Sequence, residues 1–105
     1  MSDNNNFPAL ISRLPAFAGP FDAYQLNADN CKVLFASYPA GTNIDAHTHA
    51  TENCGVITRG ELFLTVDGQE TRYGVGDWYH LTPAQLHAAR FEVATSEIEF
   101  WFDVQ

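Results

Sequence analysis

The segment GTNIDAHTHATENCGVITRG, residues 41–60, contains two strand-like runs enclosed by glycines. Gly41 and Gly60 bracket the segment, and a residue without Cβ can take the corner between two strands. His47 and His49 are two residues apart in the first run. An extended backbone therefore points both imidazoles to one face, with their Cβ atoms about 6.5–7 Å apart. The segment predicts β-structure that carries two candidate metal ligands on one side.

A tight hairpin is predicted directly after this segment. The runs at 62–66 (LFLTV) and 69–73 (QETRY) are separated only by Asp67 and Gly68. A two-residue hairpin turn requires positive φ angles, which Asp and Gly tolerate.

Short runs of branched and aromatic residues continue on both sides, with turn signals at intervals of about 8–12 residues. Nine strands are predicted, at 23–27, 32–38, 45–51, 53–58, 61–66, 69–73, 77–81, 87–93 and 98–103. Many short strands with glycine corners are typical of a jelly-roll barrel or sandwich, so the predicted fold class is all-β.

The first 22 residues differ from the rest because they contain three prolines and a run of asparagines. Proline opposes a long helix, so we expect an irregular N-terminal arm over 1–22 laid on a barrel domain over 23–105. A chain of 105 residues leaves no room for a second domain.

The formal charge of the chain is −8, and its five cationic side chains are scattered singly. Binding to a phosphate backbone needs clustered cations, so nucleic acid is not an expected partner. No apolar run approaches the roughly 20 residues that cross a bilayer, and the first residues do not resemble a secretory signal. We therefore expect no membrane association and a cytoplasmic location. The two cysteines, Cys31 and Cys54, are too few for a disulfide framework.

Alternation along the last predicted strand separates two faces. The apolar set, assigned to the core, is Ile98, Phe100 and Phe102. The other set, assigned to the outer face, is Glu97, Glu99, Trp101 and Asp103. An exposed Trp101 among carboxylates suggests that a second copy covers it, so a homodimer is expected.

Together with His87, the two-histidine segment resembles the cupins. The first cupin motif is a glycine, five residues, His-x-His, a glutamate three or four residues later, and a closing glycine six residues beyond. Gly41, His47, His49 and Gly60 match its glycines and histidines, while Gly76 and His87 match the ends of the second motif. The resemblance implies a jelly-roll barrel in which His47, His49 and His87 bind one divalent transition metal, namely Fe, Mn, Ni or Zn.

The chain departs from the cupin pattern where the family has its glutamate ligand. Asn53 stands at that position, and Glu52 lies one residue earlier. Strand parity points Asn53 inward with the histidines, so Asn53 is a candidate fourth ligand and Glu52 is one only if a β-bulge shifts the register. Without the carboxylate, the ion keeps its full charge and polarises an anionic ligand more strongly. The second motif also differs, since Thr82 and Ala84 replace its proline and glycine.

Other residues are candidates for contacts with a small-molecule ligand. His80 either lines the cavity as an acid/base group or faces solvent. Two further residues are expected to lie away from the ligand. The Cys54 side chain is expected on the face opposite Asn53, and Arg90 is expected to form an ion pair at the surface. Candidate pocket walls are Phe63, Tyr73, Trp78, Phe91 and Phe100.

Three functions are compatible with these residues. The first is a small metal-dependent enzyme of dioxygenase or isomerase type that acts on an oxygen-bearing compound. The second is a module that binds a small molecule or a metal without turnover. The third is a metal-free barrel that acts through a protein partner at the strip formed by Glu97, Glu99, Trp101 and Asp103. A jelly roll alone does not choose among them.

Overall fold

The computed structural model describes residues 7–104. Within them lie one 3₁₀ helix, Ala9–Arg13, and nine strands: β1 Asp22–Ala28, β2 Cys31–Tyr38, β3 Thr42–His47, β4 Glu52–Arg59, β5 Glu61–Val66, β6 Gln69–Gly74, β7 Trp78–Leu81, β8 His87–Phe91 and β9 Thr95–Phe102. The prediction of nine strands is confirmed. The main difference is β3, which begins at Thr42 and ends at His47 instead of running from 45 to 51.

The strands form two antiparallel sheets. The five-stranded sheet has the order β1-β2-β9-β4-β7, and the four-stranded sheet has the order β3-β8-β5-β6. Their facing sides enclose the core, whose buried members are Ala36, Tyr38, Ile57, Leu62, Leu64, Tyr79, Leu81 and Phe91. This arrangement is a jelly-roll barrel, and the predicted all-β class is confirmed.

The hairpin between β5 and β6 has the predicted two-residue turn. Val66 pairs with Gln69, and the residues between them, Asp67 and Gly68, have φ angles of 52° and 81°. Positive φ at both turn residues matches the right-handed twist of the flanking strands.

The face assignment of β9 from the sequence is wrong. Glu97 and Glu99 are only 2% and 5% exposed and line the interior, whereas Phe102 is 43% exposed on the outside. β9 lies in the middle of the five-stranded sheet, between β2 and β4. The assignment failed because it assumed that only apolar side chains face the interior, whereas here Tyr38 and Tyr79 form hydrogen bonds to the two inward carboxyl groups.

The apolar face of β9 lies on the outside of the five-stranded sheet with apolar neighbours. Phe100 pairs with Val33, and Ile98 pairs with Phe35. Trp78 of β7 stacks on Phe100, with 6.0 Å between ring centroids. Cross-strand pairs of this kind stabilise a sheet without being buried in its core. The partner-binding strip inferred from the sequence is therefore absent from the surface, because Glu97, Glu99 and Trp101 point inward.

The segment before β1 lies against the barrel. Ala16 forms a bridge with Tyr24, and the Phe17 amide donates to the Ala23 carbonyl at 2.9 Å. The aromatic rings of this segment pack as expected: Phe21 lies 5.1 Å from Tyr38 between ring centroids. The first six residues of the predicted arm lie outside the described residues. Within 7–104, no helix has the length and apolar character required to span a lipid bilayer.

Candidate metal centre and its cavity

Three histidines from two separate parts of the chain meet at one end of the barrel. His47 ends β3, His87 begins β8, and the two are directly paired across the four-stranded sheet. His49 follows β3 by two residues. One ring nitrogen from each of the three lies within 4.8 Å of the corresponding atoms of the others. The cluster expected from the sequence is therefore assembled in the structure.

A β-bulge directs His47 toward the interior. Ile44 pairs with Ala89 and His47 pairs with His87, so β3 has one residue more than β8 between these two pairs. Without this extra residue, a position three after Ile44 would face the opposite side of the sheet. The bulge gives both Ile44 and His47 access to the cavity.

His49 reaches the cluster from a loop and not from the strand on which the sequence places it. Its carbonyl accepts a hydrogen bond from the Ala84 amide at 2.8 Å. Ala84 has a φ of 64°. This conformation directs the Ala84 amide, in the turn before β8, toward the His49 carbonyl. This bond ties the loop of His49 to the segment that leads into His87.

Hydrogen bonds to the backbone orient two of the rings. The Nδ1 atom of His47 lies 2.7 Å from the Asp45 carbonyl, and Nδ1 of His87 lies 2.9 Å from the Gln85 carbonyl. A carbonyl oxygen only accepts, so both Nδ1 atoms carry the proton. The Nε2 lone pairs are therefore free to bind a metal, and the backbone holds both rings in place for it.

The spacing of the nitrogen atoms fits a transition metal. Nε2 of His47 and Nε2 of His49 are 3.1 Å apart. Two nitrogens bound at about 2.0–2.1 Å to one octahedral or tetrahedral ion are about 2.9–3.4 Å apart. These two rings therefore need little movement to share an ion, and the ring nitrogen of His87 lies within 4.8 Å of them.

Burial keeps the histidines in the form that binds metal. Desolvation lowers the pKa of His49 to about 4, with the neighbouring His47 and His87 adding to the effect. Desolvation is also the main cause that lowers the pKa of His87. Both rings are thus neutral near pH 7, and neutral imidazole is the ligand form.

Asn53 and Glu52 lie on opposite faces of β4, as strand parity predicts. Asn53 is 5% exposed and lines the cavity, where its Oδ1 accepts a hydrogen bond from the Thr51 hydroxyl at 2.6 Å. Glu52 faces outward and accepts a hydrogen bond from His80 at 2.5 Å. No bulge brings Glu52 inward, so among these two only Asn53 is placed beside the histidines.

His80 does not line the cavity, so its candidate role as an acid/base group there is wrong. It pairs with Cys54 on the outer face of the five-stranded sheet, and its side chain is 59% exposed. The preceding Tyr79 faces inward instead, because neighbouring residues of a strand point to opposite sides. Cys54 faces outward as predicted, and both cysteines are free thiols.

The cavity has a volume of about 550 Å³, and the three histidines form part of its wall. Of the five predicted wall residues only Phe91 lines it; Phe63, Tyr73, Trp78 and Phe100 do not. Phe63 lies outside the barrel, under the Arg90 guanidinium at 4.1 Å from the ring centroid. The sequence analysis missed several wall residues, namely Phe17, Phe21, Tyr38, Tyr79, Glu97, Glu99 and Trp101. The alternation of Glu97 and Glu99 along the strand shows only that the two share a face and does not show that this face is the inner one.

Two tyrosines hold the buried glutamates. The Tyr38 hydroxyl donates to Glu99 at 2.5 Å, and the Tyr79 hydroxyl donates to Glu97. The Trp101 indole N–H also donates to Glu99, at 3.0 Å, while its ring centroid lies 4.9 Å from that of His49. Trp101 thus contacts both the histidine cluster and the carboxyl pair.

Burial raises the pKa of both glutamates above their ordinary value. For Glu97 the nearby charge of Glu99 adds to the increase, whereas hydrogen bonds from Tyr38 and Trp101 oppose it for Glu99. Burial likewise raises the pKa of Tyr38 and Tyr79 well above 10, so both phenols stay protonated and act as donors.

No lysine or arginine is among the cavity-lining residues of the described chain. Arg72 pairs with Glu61, and Arg90 pairs with Glu70 and Glu92 at the surface. The prediction of a surface ion pair for Arg90 is confirmed. The Lys32 ammonium lies 5.4 Å from the centroid of the Trp101 ring, which belongs to the wall, but Lys32 itself does not. The described wall therefore carries carboxyl groups without a cationic side chain.

Comparison with known proteins agrees with this architecture. Residues 34–101 match the family described as Cupin domain. An RmlC-like cupin from Shewanella frigidimarina superposes with a TM-score of 0.74 at 18% identity, covering 85% of this chain and 81% of that chain. A cupin superfamily protein from Desulfitobacterium hafniense gives 0.76 at 16% identity, with 95% and 93% covered. KdgF from Halomonas sp. gives 0.72 at 15% identity, with 81% and 80% covered. Comparison with curated protein sequences gives no match.

Proposed function

The chain belongs to the cupin family, and on that premise we propose that it binds a divalent transition metal through His47, His49 and His87 and acts on a small oxygen-bearing compound in the adjoining cavity. The observation that carries the proposal is the meeting of three imidazole nitrogens within 4.8 Å in the wall of the cavity. Fe, Mn, Ni and Zn are the candidate ions, since imidazole ligands suit transition metals.

The protein side of the proposed centre is neutral. His47 and His87 present their Nε2 lone pairs, and Asn53 is the proposed fourth ligand through Oδ1, whose orientation Thr51 fixes. A bound ion supplies Lewis-acid chemistry, the polarisation of a substrate oxygen. Because four neutral ligands leave the charge of the ion uncompensated, this polarisation is stronger than in a centre that contains a carboxylate.

The activity that we propose is of the isomerase or dioxygenase type. Both need an ion with an exchangeable position, and three histidines with one amide leave at least one. A binding module without turnover is the second candidate, and Asn53 favours it. Replacing a carboxylate by an amide lowers the affinity for the ion, which suits a site that binds and releases.

Elemental analysis of purified tag-free protein tests the metal centre. The wild type, saturated with each candidate ion in turn and then desalted, should retain close to one equivalent of at least one of them. His47→Ala and His87→Ala should retain less than about a tenth, because two ligands hold an ion far more weakly than three. His80→Ala is the matched control, since it removes a histidine of the outer face, and it should bind like the wild type. An empty wild type, or equal binding by all four proteins, would contradict the proposal.

Turnover separates the two candidates. Oxygen uptake with a panel of dicarbonyl, phenolic and thiol acids tests the dioxygenase type, and proton NMR of hydroxycarbonyl compounds tests the isomerase type. Metal-dependent turnover that His87→Ala abolishes supports an enzyme. A protein that retains metal and binds these compounds without converting any of them supports the binding module.

A further inference from the structure

Glu97 and Glu99 form a pair of carboxyl groups inside the cavity. They are two residues apart on β9, so both point inward, and together they are among the most deeply buried side chains of the protein. Their polar contacts come from different strands: Tyr79 of β7 holds Glu97, and Tyr38 of β2 holds Glu99. The two carboxyl groups are thus held in place by strands on either side of β9.

This arrangement is costly for folding. Removing a carboxylate from water costs several kcal/mol, and the described residues provide no cationic side chain in the cavity to offset it. Two carboxylates side by side in a medium of low dielectric cannot both be ionised without strong repulsion. Burial raises the pKa of both, and the adjacent Glu99 raises that of Glu97 further. Burial side by side thus favours a state in which the pair shares one proton, with one member as an acid and the other as a base.

The pair is close to the histidine cluster. Trp101 lies between them: its indole N–H donates to Glu99 at 3.0 Å, and its ring packs against His49. The cavity wall includes His49, His87, Glu97 and Glu99 together. A compound bound with one end at the histidines thus extends toward the carboxyl pair.

The volume of the cavity and the charge of its wall restrict which compounds it can bind. Its volume of about 550 Å³ holds a small molecule. The acidic pair repels an anionic group in the inner part of the cavity, where no described lysine or arginine lies. Hydroxyl groups of an uncharged compound, in contrast, can donate to the carboxylate and accept from the carboxylic acid.

We propose that Glu97 and Glu99 are a catalytic acid–base pair and that their substrate is a small uncharged compound with a hydroxyl group next to a carbonyl group. This inference rests on the proposed function, because the carbonyl end is assigned to the three-histidine centre. It selects isomerisation from the two reaction types that the metal centre permits.

The proposed reaction needs no co-reactant. The ionised carboxylate takes the proton from the carbon that bears the hydroxyl group, and the electron pair of that C–H bond forms the C=C bond of an enediol. The carbonyl oxygen takes the proton of the other carboxyl group. Return of a proton to the former carbonyl carbon, with loss of the hydroxyl proton at the neighbouring carbon, gives the isomeric compound. The pair ends with the single proton with which it began.

Tyr38 and Tyr79 are positioning residues in this scheme. Gly55 faces Tyr79 across the β4–β7 pair, and a Cβ there would approach the phenol ring to 2.5 Å. The absence of that side chain lets the ring lie flat on the sheet and reach Glu97. Tyr79→Phe should alter the pH profile of the exchange reaction described below while leaving metal content unchanged.

The first experiment tests the shared proton without metal or substrate. Protein labelled with ¹³C at the glutamate side-chain carboxyl groups is freed of metal with a chelator, and the carboxyl resonances are followed with pH. Glu97→Gln and Glu99→Gln assign the two signals, and Glu92→Gln, a surface carboxyl paired with Arg90, is the control. One signal of the pair should still be that of a protonated carboxyl at pH 7. If both titrate in the range of surface glutamates, the inference is overturned.

The second experiment measures proton transfer. Metal-loaded protein is incubated in D₂O with dihydroxyacetone, glycolaldehyde or hydroxyacetone, and loss of C–H signal is followed by proton NMR. The wild type should catalyse exchange of at least one of them, and Glu97→Gln and Glu99→Gln should each slow it by about 10²–10⁴-fold with unchanged metal content. Hydroxypyruvate, the carboxylate analogue of hydroxyacetone, should exchange at least tenfold more slowly relative to its rate in buffer.

The outcomes distinguish this inference from the proposed function. Loss of metal in His47→Ala supports the metal centre, and an unchanged titration of Glu97 and Glu99 in that variant shows that the pair does not depend on the metal. Full metal content in the wild type with no exchange of any of the three uncharged compounds overturns the inference and leaves the metal centre intact. Undiminished exchange in both glutamine variants also overturns it.

Discussion

Glu97 gives the stability of the protein a pH dependence that is opposite in sign to that of an ion-paired surface carboxylate. Its pKa is raised in the folded state because it is buried next to Glu99. The folded chain therefore binds this proton more tightly than the unfolded chain. The resulting stabilisation is complete below the ordinary value of 4.5 and is lost as the pH rises through the raised pKa.

Glu97→Gln is expected to remove this loss. Glutamine retains an oxygen that accepts from Tyr79 but never ionises. The variant should therefore escape a loss of stability that approaches about 1.4 kcal/mol per pH unit while Glu97 titrates in the wild type. Thermal unfolding of metal-free protein between pH 6.5 and 9 measures the difference. His49 does not interfere in this window, because its lowered pKa acts only when the pH falls from 6.5 toward about 4. Glu92→Gln should leave the pH dependence unchanged, and a parallel loss in Glu97→Gln and wild type would contradict the expectation.

Single residues also show which parts of the site could be predicted from the sequence. The spacing of His47 and His49 predicts that these two lie together. The resemblance to the cupins adds the prediction that His87, which is distant in sequence, joins them. Nothing in the sequence indicates that Glu97 and Glu99 point inward. Strand alternation separates residues into two faces but does not say which face is inside. Hydrophobicity chooses the wrong face when the interior holds hydrogen-bonded carboxyl groups.

At the scale of elements, the strands and the Asp67-Gly68 turn follow from local signals, whereas the bulge in β3 does not. A bulge arises from the pairing of β3 with β8, and its residues, Asp45 and Ala46, have no distinctive composition. The role of the segment before β1 was also only partly predictable. Proline and glycine indicate irregular structure, but the packing of Phe17 and Phe21 on the cavity depends on tertiary contacts.

The glycines that bracket β3 and β4 should differ in their tolerance of substitution. Gly41 and Gly60 both have positive φ angles, of 85° and 77°. A Cβ at Gly60 would lie 2.5 Å from the Ala94 carbonyl and 2.6 Å from the Thr95 hydroxyl, whereas a Cβ at Gly41 would meet nothing within 4 Å. Gly41→Ala should therefore lower the free energy of unfolding only by the backbone strain, about 1–2 kcal/mol. Gly60→Ala should cost clearly more, because the turn must also move away from β9.

Urea denaturation of the two glycine variants measures this contrast. Both proteins should keep the far-ultraviolet spectrum of the wild type, and the midpoint should fall further for Gly60→Ala. Equal midpoints would show that backbone conformation alone determines both effects and that the contact with Ala94 and Thr95 relaxes freely.

At the scale of the whole molecule, several exposed apolar side chains lie together on the outside of the five-stranded sheet. Leu26, Trp78 and Phe102 are 45%, 57% and 43% exposed there, and Phe100 stacks between the two aromatic rings. The homodimer expected from the sequence was argued from Trp101, which the structure places in the cavity. A dimer must therefore use another surface, and two chains that each carry a charge of −8 repel least where carboxylates are few.

We accordingly expect self-association through this outer face. Exposed apolar patches of such extent commonly mark interfaces, and an antiparallel sheet face can pack on its own copy by two-fold symmetry. Trp78→Lys places a charge on the patch and should convert a dimer of twice 11.7 kDa into a monomer. Val93→Lys is the matched control, because Val93 is 45% exposed in the turn between β8 and β9 and is not part of the patch, and the variant should remain dimeric. Sedimentation velocity at several protein concentrations distinguishes these outcomes. A wild type that sediments as a monomer at all concentrations would refute self-association, and a dimer that survives Trp78→Lys would place its interface elsewhere.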